Sequence, residues 1–186
     1  AARERMDKST KAAEDEFMAG VSIPASDDTA VAWIMYQSLD SSVQYCVGNK
    51  YDPTEMTLGI VANNAVITGE GTYTVSLDFS NCGIPKGVLF SALGIYNGEK
   101  FFPGYTISID EVKVNGEVRE LSGKEYTCSD DGNCTRVNLY NQWVTSIPDD
   151  SRYADGDKSG LSATVLSVKD NEILSTLEIT FTYSAP

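Results

Sequence analysis

Thr72-Tyr73-Thr74-Val75-Ser76-Leu77-Asp78-Phe79 alternates between two kinds of side chain without a fault. Tyr73, Val75, Leu77 and Phe79 share one face of an extended chain, and Thr72, Thr74, Ser76 and Asp78 share the other. Successive side chains leave a strand on opposite sides, so a period of two with one apolar face reads as a half-buried strand. Residues 176–183 repeat the device: Leu177, Ile179, Phe181 and Tyr183 alternate with Thr176, Glu178, Thr180 and Thr182.

Outward from these two segments, the same reasoning predicts strands over 31–36, 43–47, 65–68, 88–95, 105–114, 135–140 and 163–168. The breaks between them carry turn chemistry: Asn63-Asn64, Gly69-Glu70-Gly71, Asn97-Gly98, Asn115-Gly116 and Asp131-Gly132. Asn-Gly and Asp-Gly supply the positive φ angles of two-residue hairpins. Many short strands with regular turns predict an all-β fold, an antiparallel β-sandwich of jelly-roll type over residues 26–186. There is no βαβ rhythm, no GxGxxG and no P-loop.

Residues 1–20 differ in composition. They are rich in Ala, Glu, Lys, Arg and Met, with no Pro and no Gly before Gly20. Met6, Ala13, Phe17 and Met18 make a thin apolar stripe, and Gly20 and Pro24 end it. This predicts a short N-terminal helix outside the core, a linker or docking element, with a solvated arm as the plainer reading. The opening residue, Ala1, suggests a processed or excised piece of a larger protein.

Charge and composition exclude several function classes. The 186 residues hold 27 acidic against 14 basic side chains, a net charge of −13, and no histidine. Without histidine there is no Ser-His-Asp triad, no Cys-His pair and no His-ligated zinc. The acidic balance repels phosphate backbones, so nucleic acid is not an expected partner. No apolar run reaches the roughly 18 to 20 residues that span a bilayer, so no membrane span is expected.

Acidic pairs recur at Asp27-Asp28, Asp130-Asp131, Asp149-Asp150 and Asp155 with Asp157. A glycosidase needs two carboxylates facing each other across a cleft, which loop neighbours do not provide. Asp in such stretches serves local turns, so the chain is not expected to be an enzyme. Clustered carboxylates would also suit a structural calcium, but no Asp-x-Asp-x-Asp-Gly loop with a distal Glu is present, and no cofactor is expected. Cys46, Cys82, Cys128 and Cys134 allow three pairings. Cys128 and Cys134 flank a tight loop that would bring them within disulfide range, the alternative being four separate thiols. An even cysteine count, acidic charge and many strands together point to an extracellular protein.

The segment 134–143, CTRVNLYNQW, holds the densest ligand-binding chemistry. Alternation turns Val137 and Leu139 inward and presents Arg136, Asn138 and Tyr140 outward, followed by Asn141, Gln142 and Trp143. Such a mixture suits a neutral polyol, because sugar C–H patches pack on aromatic faces and hydroxyls pair with planar multi-donor groups. The plainer reading makes Tyr140 and Trp143 plugs at one end of the sandwich, with Arg136 an exposed charge. A second cluster is a hairpin that carries Tyr36, Gln37, Gln44 and Tyr45 near its end with Tyr51 behind, Trp33 being read as core. The edge aromatics Tyr96, Phe101, Phe102 and Tyr105 read as a cover over the core.

ITGEGTYTVSLDF (67–79), FFPGYTISIDEVKVNG (101–116), RVNLYNQW (136–143) and the hairpin ending in VQYC (43–46) resemble β-sandwich modules on surface glycoside hydrolases of gut anaerobes. The nearest is carbohydrate-binding module family 86, found at the N-terminus of some xylanases, and the resemblance covers roughly residues 28–183. It implies a non-catalytic module in a larger secreted or cell-surface protein that holds a plant polysaccharide, xylan first, with starch or mannan as other glycans. On that reading Tyr140, Trp143 and Tyr45 stack on sugars beside Tyr36, while Arg136, Asn138, Asn141 and Gln44 bond hydroxyls. Members commonly place an aromatic where this chain has Cys46, which unsettles the hairpin end as a platform. The competing readings are a surface protein-interaction or adhesin domain and, third, a two-carboxylate glycosidase.

Overall fold

The computed structural model describes residues 26–45 and 56–186. The expected helix over 1–20, Cys46 and Tyr51 lie outside the described residues. Within them run β1 (Ala30–Gln37), β2 (Gln44–Tyr45), β3 (Val61–Asn63), β4 (Ala65–Ile67), β5 (Gly71–Asp78) and β6 (Phe90–Tyr96). A single helical turn, α1 (Gly98–Phe101), precedes β7 (Thr106–Val114), β8 (Glu117–Arg119), β9 (Thr127–Asp130), β10 (Cys134–Tyr140) and β11 (Thr176–Ser184). Two antiparallel sheets result. The first has the order β2-β1-β6-β10-β9, with β4 also on β1, and the second β3-β5-β11-β7-β8.

The two alternating segments that decide the fold are neighbours. β5 and β11 pair from Asp78↔Thr176 to Gly71↔Tyr183. Their apolar faces, Val75 and Leu77 with Leu177, Ile179 and Phe181, pack in one core with Ile34 of β1, Leu93 and Ile95 of β6 and Val137 of β10. Each of these side chains is buried. Removing a large aliphatic or aromatic side chain from water contributes about 1.5 to 3 kcal/mol, so this shared core holds the sheets together. The opposite face of the second sheet is a polar ladder, with the Thr74 and Thr180 hydroxyls 2.9 Å apart and Asp110 accepting from Thr182 at 2.7 Å. Phe102, Tyr105 and Tyr183 pack ring against ring and close one end, while Phe101 stays exposed.

Several expectations change. Residues 163–168 form no strand. They are tied by one bridge, Tyr140↔Thr164, and by the N–H groups of Val165 and Leu166, which both donate to the Leu139 carbonyl. Asn97-Gly98 makes no hairpin: Asn97 is left-handed and opens α1. Asn115-Gly116 does turn the β7–β8 hairpin, with φ of 55° and 79°. β3, β8 and β9 went unpredicted because three or four residues carry too little periodicity to read.

Of the two readings left open for the cysteines, the described residues show separate thiols: Cys82, Cys128 and Cys134 are buried and free. Cys134 stands opposite Asp130 and Cys128 opposite Arg136, so the two cysteines sit on a diagonal. Diagonal neighbours are about 7 to 8 Å apart, whereas a disulfide needs Cβ atoms about 3.5 to 4.5 Å apart. Burial pushes the Cys128 thiol up to about 11.

The outer face of the first sheet is partly filled by its own side chains. Trp33 pairs with Gly94, and Met35 with Ala92. A Cβ on Gly94 would come within 2.6 Å of the Met35 methyl and 2.8 Å of the Trp33 ring. Gly94 is therefore the seat of a wholly buried indole, in a backbone conformation that any residue adopts. Gly94→Ala is expected to lower stability by about 1 to 3 kcal/mol through overpacking. Urea unfolding should show a lower midpoint at unchanged slope.

Candidate ligand-binding site

The site grows from β10. Its pairing with β6 is regular from Thr135↔Ile95 to Asn138↔Ala92, then shifts so that Tyr140 meets Ser91. Leu139 is the extra residue of a β-bulge, and one extra residue reverses which face the following side chain takes. Arg136 and Asn138 therefore keep the outward face, as alternation predicts. Tyr140, expected beside them, turns inward and packs against the main core.

Beyond β10 the chain returns along the free edge of β9. Thr127 and Arg152 exchange backbone hydrogen bonds at 2.8 Å, and Asp150 accepts from the Ser129 N–H at 2.9 Å and hydroxyl at 2.5 Å. Burial works against the Asp150 carboxylate, but those bonds outweigh it and hold its pKa below the usual value. This strap packs Val144, Leu161 and Ala163 against Tyr126 and Cys128 as a second, smaller core. Between strap and sheet lies a cleft of about 220 Å³, lined by Tyr126, Cys128, Ser129, Asp130, Arg136, Asn138 and Asn141, with Val144 and Pro148 on the strap.

One hydrogen-bonded network organises it. Asn138 Oδ1 accepts from Arg136 Nε at 3.1 Å, Arg136 Nη2 at 2.8 Å and Asn141 Nδ2 at 3.1 Å. Its Nδ2 donates to the Tyr126 hydroxyl at 3.2 Å. Arg136 Nη1 is ion-paired with Asp130, the two side chains being 11% and 20% exposed, so the pair is largely desolvated and its charges cancel locally. The guanidinium lies 5.2 Å from the Phe90 ring centroid. Phe90 also meets Trp143 at 6.4 Å, with the rings tilted by 44°. Asn141 Oδ1 accepts the Trp143 backbone N–H at 3.1 Å, which fixes the turn that carries the indole. Trp143 is 58% exposed. Tyr126 is wholly buried, and that burial raises its pKa.

The eight residues expected from sequence thus separate. Arg136 lines the cleft, and Trp143 stands outside its lining, next in sequence to Val144 of the wall. Asn138 and Asn141 are there too, but as buried braces whose amide groups hold other side chains. Tyr36 and Tyr45 are corrected as stacking residues: both are wholly buried, Tyr36 donating to the Gly87 carbonyl at 2.6 Å and Tyr45 accepting from Asn64 at 2.8 Å. The hairpin end itself, Leu39 to Ser42, is exposed, but the Tyr36 ring packs inward on Phe79 with centroids 4.8 Å apart. Gln44 is exposed on β2, three strands from β10 and so about 14 Å away. Sequence reasoning missed Phe90, Tyr126 and the partnership of Asp130 with Arg136. The Asp130-Asp131-Gly132 turn was the visible signal, since it ends β9 directly opposite β10.

A larger hollow of about 290 Å³ lies on the second sheet among Asn63, Ser76, Asp78, Lys113, Thr176 and Glu178. It has no aromatic lining, and Lys113 is shared between Glu111 at 3.5 Å and Glu178 at 3.8 Å. No protein-family model matches the chain, and no curated protein or solved structure matches it.

Proposed function

We propose that the chain is a non-catalytic carbohydrate-binding module that holds a neutral plant polysaccharide, xylan first, at the cleft between β10 and its strap. The observation that carries this reading is the exposed Trp143 indole standing next to a charge-balanced cleft lined by Arg136 and Asp130. The indole offers a face to sugar C–H groups. The Arg136–Asp130 pair offers donors and acceptors to hydroxyls without a net charge that would demand an ionic ligand. The resemblance to family 86 modules supports the same reading, and with it a jelly-roll sandwich in a secreted or cell-surface protein of several modules. Asp130 is engaged by Arg136 and Asp150 by Ser129, which supports a binding role over a two-carboxylate one.

Open polar sites of this kind bind with dissociation constants on the order of 10 to 1000 µM, because desolvating polar groups offsets much of the contact energy. Native affinity electrophoresis through gels holding xylan, glucomannan, xyloglucan or starch tests the reading. Retardation in one gel is the expected result and names the ligand class. Uniform mobility in all four would instead favour a protein-interaction or adhesin domain.

A further inference from the structure

The shape of the cleft says which part of a glycan enters it. Its volume of about 220 Å³ lies below the roughly 300 to 1000 Å³ of pockets that enclose drug-sized ligands. That is space for one sugar ring rather than a run of them. Its aromatic rim is equally short. Among the described residues, Trp143 and Phe101 are the aromatic side chains that stand exposed. Phe101 lies beyond the far end of β6, about 20 Å along the strand from Phe90, the ring on which Trp143 rests.

A chain threading past several sugars would also need an open path on both sides. On one side the strap closes the way, pinned to β9 through Asp150 and Arg152. On the other, Trp33 and Met35 already occupy the outer face across β1 and β6 and are wholly buried. The hollow on the second sheet lies on different strands and does not extend the cleft.

Resting on the binding-module reading above, we infer that this site captures a single terminal sugar, at a chain end or on a branch, and not an internal stretch of polysaccharide backbone. Ser129, Asp130 and Arg136 line the cleft, and the exposed Trp143 stands next in sequence to Val144 of its wall, an arrangement with room to grip one ring. Additional sugars would project into solvent and add little.

Calorimetric titration of the whole chain with xylose, glucose, mannose and galactose oligomers of one to six units, linear and arabinose-branched, tests this. The expected result is a bound series whose dissociation constant changes by less than about threefold between two and six units. Trp143→Ala should weaken binding at every length by at least about thirtyfold and Asp130→Asn by at least about tenfold, with circular dichroism confirming that both remain folded. A tenfold or greater gain from two to six units would overturn the inference and leave the binding-module reading standing. Binding unaffected in both folded variants would overturn the assignment to this cleft. No binding by any oligomer or by the four polysaccharides would overturn both.

Discussion

Trp143→Ala is expected to weaken saccharide binding by at least about thirtyfold while leaving the fold intact. The indole is an exposed apolar surface one residue from Val144 of the cleft wall, and it is held rather than loose: its backbone N–H is bonded to Asn141, and its ring packs near Phe90. A rigid aromatic face loses little freedom on binding, and such residues dominate the energy of many interfaces, at about 2 kcal/mol or more each. That value corresponds to about thirtyfold in affinity. The stability cost should stay within about 1 kcal/mol, since a ring already 58% in water gives up little burial. Isothermal calorimetry on the variant beside a urea unfolding curve separates the two effects. A variant that unfolds much earlier, or that binds as well as the parent, would show that Trp143 is a packing residue instead.

How much of this was legible in the sequence follows from the range of each interaction. Strands β5, β7 and β11 were readable because eight or nine residues of alternation are a local property that the chain carries in full. The inward pair Val137 and Leu139 and the outward pair Arg136 and Asn138 were readable for the same reason. Tyr140 was not, because the bulge at Leu139 is enforced from outside: the Val165 and Leu166 N–H groups converge on the Leu139 carbonyl from a segment 26 or more residues away. Tyr36 and Tyr45 failed as platforms through another non-local fact. Whether a tyrosine lies inside depends on tertiary neighbours, here Gly87 and Asn64, that no period records. Cys128 and Cys134 illustrate register. Six residues of separation permit a cross-strand pair, but the three-residue turn Asp131–Asn133 sets them on a diagonal.

Asn138 offers the sharper test of how the cleft is built, because its role differs from the hydroxyl-binding one that its residue type suggests. Its Oδ1 receives three N–H groups, two from Arg136 and one from Asn141, and its own amide reaches Tyr126. With Asn138 itself buried, removing that acceptor strands donors where water enters poorly, and each such group costs about 1 to 3 kcal/mol. Asn138→Ala is therefore expected to destabilise the protein by about 2 to 4 kcal/mol and to lower affinity by at least tenfold, because Arg136 loses the partner that sets its plane. Asn138→Asp keeps the acceptor oxygens in place, adds a favourable charge opposite Arg136, and lets the Tyr126 hydroxyl turn from acceptor to donor. It should retain most of the stability, within about 1 kcal/mol of the parent. It makes the cleft net negative but keeps the partner that sets the Arg136 plane, so it should bind a neutral sugar better than Asn138→Ala does. If Asn138 instead bonded sugar hydroxyls directly and braced nothing, the two variants would fold equally well and both would lose binding. Thermal melts and calorimetry on the pair decide between brace and contact.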